Sequence, residues 1–66
     1  MKNLSNLIKG LQIIETVEGN VSQFNSQDSK LFIGEYIIYS ENQISELETL
    51  GFCVNYEFDC FEYNLD

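Results

Sequence analysis

The sequence contains no histidine, and it also lacks a glycine-rich phosphate loop and a nucleophile placed beside a base. Histidine is the commonest general acid and base, so the usual set of catalytic groups is mostly absent. A chain of 66 residues also leaves little room for an enclosed pocket that would tune carboxylates for catalysis. We therefore expect a protein that is not an enzyme and that needs no cofactor.

Basic side chains are nearly missing. The sequence has three basic residues, Lys2, Lys9 and Lys30, and eleven acidic residues, so the formal net charge is -8. No basic residue follows Lys30. Direct binding to a nucleic-acid backbone requires clustered Lys or Arg, so this function is excluded. The second half must project a negative field, and a protein with a basic surface is the natural partner. Its acids are Glu35, Glu41, Glu46, Glu48, Glu57, Asp59, Glu62 and Asp66.

Cysteine is scarce as well. Cys53 and Cys60 are too few for a disulfide scaffold, and the six residues between them match neither a zinc motif nor a thioredoxin-type motif. We expect free thiols that act as small buried hydrophobic groups, with a redox pair or a metal contact as the alternative.

Signals for export, membrane insertion and metal binding are also absent. No apolar run approaches the roughly 18 residues of a membrane span, and the N-terminus lacks an apolar signal region with a cleavage site. This pattern predicts a cytoplasmic protein without a membrane contact. The last acids lack the spacing and the turn glycine of a calcium loop, so no metal site is predicted. These acids are Glu57, Asp59, Glu62 and Asp66.

The residues that are present predict one α+β domain over residues 1–66, because five Phe and four Tyr supply enough apolar area for one small core. The first helix is expected from about Asn3 to Val17, since apolar residues recur at spacings of three and four. They are Leu4, Leu7, Ile8, Leu11 and Ile14. Gly10 weakens this helix without breaking it, and Gly19 with Asn20 supplies its C-terminal stop.

Two short strands should follow as a hairpin. VSQF (residues 21–24) and KLFIG (30–34) are strand candidates around the polar turn NSQDS (25–29). The segment GEYIIYS (34–40) has two interpretations, because Gly34 suits either a bulge inside a longer strand or the point where the chain leaves the sheet.

A capping box predicts the start of the second helix. In SENQ (40–43) the Ser40 hydroxyl would accept from the backbone N–H of Gln43, whose side chain would reach back to the cap. The helix should run for about ten residues and end at Gly51. Its inward face would carry Ile44, Leu47 and Leu50.

The pattern of the last segment fixes the register of a second hairpin. If residues 56–59 form a four-residue loop, the facing pairs are Phe52 with Tyr63, Cys53 with Glu62, Val54 with Phe61 and Asn55 with Cys60. The apolar residues then share one face, which Leu65 continues, whereas a shift by one residue would mix the two faces. The predicted order is α-β-β-α-β-β, with an antiparallel sheet packed against two helices.

The loop of the second hairpin is the candidate partner-binding site. It carries Tyr56, Glu57, Phe58 and Asp59, that is, two aromatic rings flanked by carboxylates. In one interpretation the rings fill pockets of a partner while the acids pair with its Arg or Lys. In the other, the loop folds back and one ring covers the sheet.

The charge excess also has two interpretations. It serves solubility, since a magnitude of 8 lies at the upper edge for a small domain. Alternatively, ordered carboxylates replace the phosphates of a nucleic acid and occupy a basic groove, which requires a row of acids on one surface. The candidates for such a row are Glu41, Glu48, Glu57, Asp59 and Glu62.

Residues 24–34 and 44–65 resemble very small acidic proteins encoded by phages and other mobile elements. The shared pattern is a strand after an acidic turn, a short helix that ends Leu-Gly-aromatic, a second acidic turn and an Asp-x-aromatic strand. The matching residues are Asp28, Leu31, Ile33, Gly34, Leu47, Leu50, Gly51, Phe52, Glu57, Asp59 and Phe61.

The resemblance implies an origin in a mobile element and an inhibitor of host defence, similar to anti-CRISPR proteins, and it transfers no site residue. We therefore expect a non-enzymatic inhibitor whose acidic face binds a basic nucleic-acid-binding surface of a CRISPR-Cas effector complex. The alternative is a small structural or regulatory adaptor, homodimeric through an open sheet edge, whose charge serves solubility.

Overall fold

Two helices pack on one face of a four-stranded antiparallel sheet in the computed structural model, which describes residues 4–21 and 24–65. The helices are α1 (Leu4–Glu18) and α2 (Glu41–Thr49), and the strands are β1 (Phe24–Gln27), β2 (Lys30–Ile33), β3 (Phe52–Asn55) and β4 (Cys60–Asn64). A single turn of 3₁₀ helix, Tyr36–Ile38, precedes α2. The strand order is β1-β2-β4-β3. This arrangement confirms the predicted α+β domain and its order of elements.

The core lies between the helices and the inner face of the sheet. The inner face contributes five of its buried side chains, which are Leu31, Ile33, Phe52, Phe61 and Tyr63. The helices contribute Ile14 and Leu47, and Tyr39 packs its ring edge on Phe61 at a centroid distance of 4.7 Å. Since burial of one such side chain contributes about 1.5–3 kcal/mol, this small set accounts for most of the hydrophobic stabilisation.

The register of the β3–β4 hairpin is the predicted one. All four facing pairs occur as expected, from Phe52 with Tyr63 to Asn55 with Cys60, and residues 56–59 form the loop. The predicted inner residues Phe52, Phe61 and Tyr63 are almost fully buried. The alternation of apolar and polar residues therefore determined this hairpin, because any slip would have exposed its aromatic rings.

The apolar stripe predicted for α1 is only partly correct. Ile14 is buried, whereas Leu4 and Ile8 are 60% and 46% exposed. The reason is Gly10: a methyl group at this position would lie 2.6 Å from Cζ of Phe52, so the helix rests on the sheet where it has no side chain. This close approach turns the helix so that the Leu4–Ile8 side faces away from the core. The predicted start at Asn3 lies outside the described residues.

The first hairpin was predicted with the wrong boundaries. The strand begins at Phe24, Val21 lies outside it, and residues 22–23 lie outside the described part of the chain. The turn is shorter than expected, because Asp28 and Ser29 alone connect β1 to β2 with φ values of 54° and 62°. Two left-handed residues match the twist of a tight hairpin, and Asp is one of the residues that tolerate this conformation.

Gly34 is the point where the chain leaves the sheet, which decides between the two interpretations of residues 34–40. Its φ of 83° suits glycine, and a Cβ there would lie 2.6 Å from Oε2 of Glu18. That carboxylate accepts hydrogen bonds from the Glu35 backbone N–H at 3.0 Å and from the Tyr39 hydroxyl at 2.5 Å. The end of α1 is thereby joined to the segment that carries the 3₁₀ helix.

The predicted capping box of α2 is confirmed. The Ser40 hydroxyl accepts from the Gln43 backbone N–H at 3.2 Å, and the Gln43 side chain accepts from the Ser40 N–H at 2.9 Å. Leu47 is fully buried, Leu50 is partly buried at the end of the helix, and the chain turns at Gly51 as predicted. Among the described residues, no helix has the length and hydrophobicity needed to cross a membrane.

Candidate protein-binding site

The loop at residues 56–59 is held in one conformation by Asn55, the last residue of β3. The side-chain oxygen of Asn55 accepts from the backbone N–H groups of Glu57 and Phe58, each at 3.0 Å. Its side-chain nitrogen donates to Oε1 of Glu62 at 3.1 Å. Asp59 closes the loop with a φ of 54°, a conformation in which Asp and Asn are enriched. One amide side chain therefore connects the loop to both strands.

Both aromatic rings of the loop rest on rings from elsewhere in the chain. Tyr56 contacts Tyr36 edge to face with a distance of 5.4 Å between the ring centroids. Phe58 contacts Phe32 in the same way, with a centroid distance of 5.9 Å. Tyr56 nevertheless remains 74% exposed and Phe58 52% exposed. The loop thus folds back on the protein, as in the second interpretation, while Tyr56 and Phe58 each stay at least half exposed. The first interpretation, that the rings bind a partner, stays a prediction.

The 3₁₀ helix extends this surface. The Tyr36 backbone N–H donates to the carbonyl of Asp59 at 3.2 Å, which fastens the helix to the loop. Ile37 and Ile38, next in the chain, are 61% and 54% exposed. We call the combined surface the tip patch and define it as Phe32, Tyr36–Ile38 and Tyr56–Asp59. A contiguous exposed apolar surface rimmed by acids is typical of protein-binding sites.

Part of the tip patch was missed by sequence reasoning. Residues 36–38 were left without a position, and Phe32 and Asn55 received no role in the site. The available signal was the uncharged run YII after Gly34, whose apolar side chains must pack or be exposed. Because the run follows no helical or strand period, the sequence did not place it beside the loop.

The other predicted acids occupy different positions relative to the tip patch. Glu57 and Asp59 lie within it, whereas Glu62 lies on the outer face of β4 and pairs with Lys30 at 3.6 Å. Glu41 opens α2 beside the 3₁₀ helix, and Glu48 lies near the end of α2. Two of the five predicted acids thus lie in the loop and two lie on α2, while the charge of the fifth, Glu62, is partly neutralised by Lys30.

The two cysteines lie on the outer face of the hairpin and are free thiols, as predicted. Cys60 is fully buried, whereas Cys53 is exposed, so the prediction of a buried hydrophobic group is correct for Cys60 alone. Burial, followed by the charge of Glu62, raises the pKa of both thiols, and the charge of Glu48 adds to the effect at Cys53. Thiols with a raised pKa are weak nucleophiles at neutral pH.

Other features of the described residues offer no second chemical site. In residues 4–21 and 24–65, no group of three or more His, Cys, Asp or Glu side chains is placed to hold a metal ion. A groove of about 680 Å³ runs between α1 and α2 and carries Lys9 and Glu46 among neutral polar and aliphatic side chains. It is open, and this part of the chain contains no buried polar side chain that would orient a ligand there.

Comparison with known proteins adds no identification. No protein-family model, curated protein or solved structure matches this chain. The resemblance to small acidic proteins of mobile elements therefore stays a prediction, and functional inference depends on the tip patch.

Proposed function

We propose that this chain is a non-enzymatic inhibitor that binds a basic, nucleic-acid-binding surface of another protein through the tip patch. The observation that supports the proposal is the ordered loop at residues 56–59, in which exposed rings and carboxylates lie side by side. Exposed rings supply apolar contact area, and Glu57 and Asp59 supply charge for Arg or Lys of the partner.

The order of the loop matters for affinity. Asn55 and the 3₁₀ helix hold the loop before the partner arrives, so little conformational entropy is lost on binding. The excess of acids steers the approach to a basic surface, since no lysine follows Lys30 to offset the field of this half. Glu41 and Glu48 extend this field along α2, and Glu62 adds less because Lys30 pairs with it.

A basic surface that binds nucleic acid is the class of partner that this charge fits best. The resemblance to small acidic proteins of mobile elements narrows the class of partner to a CRISPR-Cas effector complex in the host cytoplasm. The chain would act there as a phage-encoded anti-CRISPR protein. Occupation of the basic surface would exclude DNA or RNA by competition, because both ligands need the same Lys and Arg side chains.

The test compares two variants of equal net charge. Glu57→Lys with Asp59→Asn changes the charge by +2 and +1, from -8 to -5, and asparagine tolerates the left-handed φ of residue 59. Glu15→Lys with Glu46→Gln makes the same change on the exposed surfaces of the two helices. Any difference between the two variants then reports position and not total charge.

Wild-type protein should capture a nucleic-acid-binding complex from bacterial lysate at low salt and release it at high salt or in the presence of DNA or RNA. With the purified complex, gel-shift competition should show that the tip variant inhibits at least about tenfold less, equivalent to 1.4 kcal/mol. The helix variant should inhibit almost like wild type. Equal loss of inhibition by both variants would remove the tip patch from the mechanism.

The second candidate is a small adaptor whose charge serves solubility. One observation favours it: Glu62, a member of the predicted row of acids, is already engaged by Lys30 and Asn55. An adaptor would keep its partner at high salt, whereas a nucleic-acid mimic would lose it as the carboxylates are screened. The same capture experiment therefore separates the two candidates.

A further inference from the structure

A second apolar surface lies on the opposite side of the sheet from the outer-face rings of the tip patch. Among the described residues no strand pairs with the outer edge of β1, and its four side chains are all exposed. Edge strands are usually protected by Lys, Pro or a bulge, but β1 reads Phe-Asn-Ser-Gln and carries no charge. Its backbone can therefore accept another strand.

The apolar side of α1 continues from this edge. Leu4 and Ile8, which the close approach of Gly10 turned away from the core, lie on this side of the helix, and Phe24 of β1 is 65% exposed. Between helix and strand runs a groove of about 430 Å³. Its apolar lining consists of Leu11, Ile14, Val21, Phe24 and Ile33, and Glu15 is the charged residue beside them.

The low charge of residues 1–30, which include α1 and β1, decides which partner fits this surface. Residues 1–30 contain three lysines and three acids, so their formal charge is zero, whereas residues 31–66 contain eight acids and no base. The groove itself carries one charged lining residue, Glu15, so two copies with a net charge of -8 repel each other least where they meet through this face. A basic partner, in contrast, is drawn to the acidic half, which carries most of the charge.

From these observations we infer that the α1–β1 face is the interface of a symmetric homodimer, formed by antiparallel pairing of β1 with β1 of a second copy. A two-fold axis matches an open edge and an apolar stripe with their own copies, so the surface needs to be complementary only to itself. The two sheets then join into one of eight strands, and the loops at residues 56–59 stay accessible because they lie at the β3–β4 side of the sheet, away from the β1 edge.

The two faces of β1 restrict the register in which it can pair with β1 of the second copy. Phe24 and Ser26 point to the inner face, because they pair with Ile33 and Leu31 of the core. The two inner faces join only if inner residues face inner residues across the axis. A two-fold axis at Asn25 satisfies this condition and places both Phe24 side chains on the same continuous face.

The size of the interface requires α1 to take part. Stable interfaces bury about 800 Å² per partner, and the whole accessible surface of the chain is 4357 Å². A strand of four residues covers only a fraction of that area, whereas α1 offers an apolar side about 22 Å long. Substitutions on the helix and on the strand should therefore weaken the same dimer.

The experiment measures sedimentation equilibrium of the full chain at low and at high salt. We expect a species of twice the monomer mass of 7.7 kDa, and high salt should strengthen it because screening reduces repulsion between the acidic halves. Binding through the tip patch has the opposite salt dependence. Failure of the dimer and failure of the proposed function are therefore distinguishable.

Two matched variants locate the interface. Phe24→Glu and Ile37→Glu each add one negative charge at a residue that is 65% or 61% exposed. Phe24→Glu should raise the dimer dissociation constant at least about tenfold, and Ile37→Glu should leave it unchanged. Ile8→Glu on α1 should act like Phe24→Glu, and circular dichroism with a thermal melt checks that each variant folds.

The amides of β1 give a second readout, because strand pairing should slow their hydrogen exchange as protein concentration rises. Three outcomes overturn the inference. The first is a monomer at every concentration and salt level. The second is a dimer that survives both Phe24→Glu and Ile8→Glu. The third is a dimer that Ile37→Glu dissociates, which would place the interface at the tip patch.

Discussion

Replacement of Asn55 by alanine tests whether one side chain holds the tip patch together. The variant removes two hydrogen bonds to the N–H groups of Glu57 and Phe58 and one to the carboxylate of Glu62. An ordinary bond contributes about 0.5–1.5 kcal/mol and one to a charged group about 1.5–3 kcal/mol. Because the two loop bonds are exposed and the third is only partly buried, we take the low end of each range.

The sum is a loss of about 2.5 kcal/mol in the free energy of unfolding. For a domain of this size, 1 kcal/mol shifts the melting temperature by about 4–8 °C, so Asn55→Ala should melt about 10–20 °C below wild type. Urea unfolding followed by circular dichroism gives the free energy. Native-state hydrogen exchange should show faster exchange of the Glu57 and Phe58 amides, since they lose their acceptor.

Asn42→Ala is the matched control, because this asparagine is exposed on α2 and its replacement should change stability by less than about 0.5 kcal/mol. Asn55→Asp separates the two ends of the side chain. It keeps the acceptor for both loop amides but replaces the donor to Glu62 with a second carboxylate. If Asn55→Ala unfolds at the same urea concentration as the control, the loop is not held by Asn55 and its preorganisation is refuted.

Two further predictions concern core packing and pH. Gly10→Ala should destabilise the fold, because overpacking against Phe52 costs about 1–3 kcal/mol while helix propensity returns only about 1 kcal/mol. In a urea-unfolding double-mutant cycle, Phe52→Leu should relieve part of the loss, and strict additivity would contradict the clash. Burial, with the hydrogen bond to Glu18, raises the pKa of Tyr39 far above its ordinary value of 10.0. The protonated phenol therefore stabilises the fold fully below about pH 10 and loses this contribution as pH rises further. Tyr39→Phe should flatten the fall of stability between about pH 10 and 12, and an unchanged slope would refute the assignment.

The hairpin register and the cap of α2 were predictable because both depend on local rules. Alternation along residues 52–65 allows one register that buries Phe52, Phe61 and Tyr63, and SENQ satisfies its own backbone donors. The first hairpin was predicted less well, since Asp28 and Ser29 form a two-residue turn without the glycine that usually marks one.

The candidate site was predictable in its acids and rings but not in its assembly. The sequence indicated Tyr56, Glu57, Phe58 and Asp59 as a loop that carries both ring and charge. It did not indicate that Tyr36 would lie under Tyr56, because the contact joins residues twenty positions apart in the chain. No periodic pattern connects such positions, so only packing brings them together.

By itself, then, the sequence determined the composition of this protein's surfaces: a neutral first half, an acidic second half, and two faces of the last hairpin. These properties follow from residue identity and from the period of the strand. Only the tertiary structure decided which surfaces stay exposed. The contact of Gly10 with Phe52 rotates α1 and exposes Leu4 and Ile8, and the turn at Gly34 brings the 3₁₀ helix to the tip. Both depend on the space between distant elements, which no local pattern records.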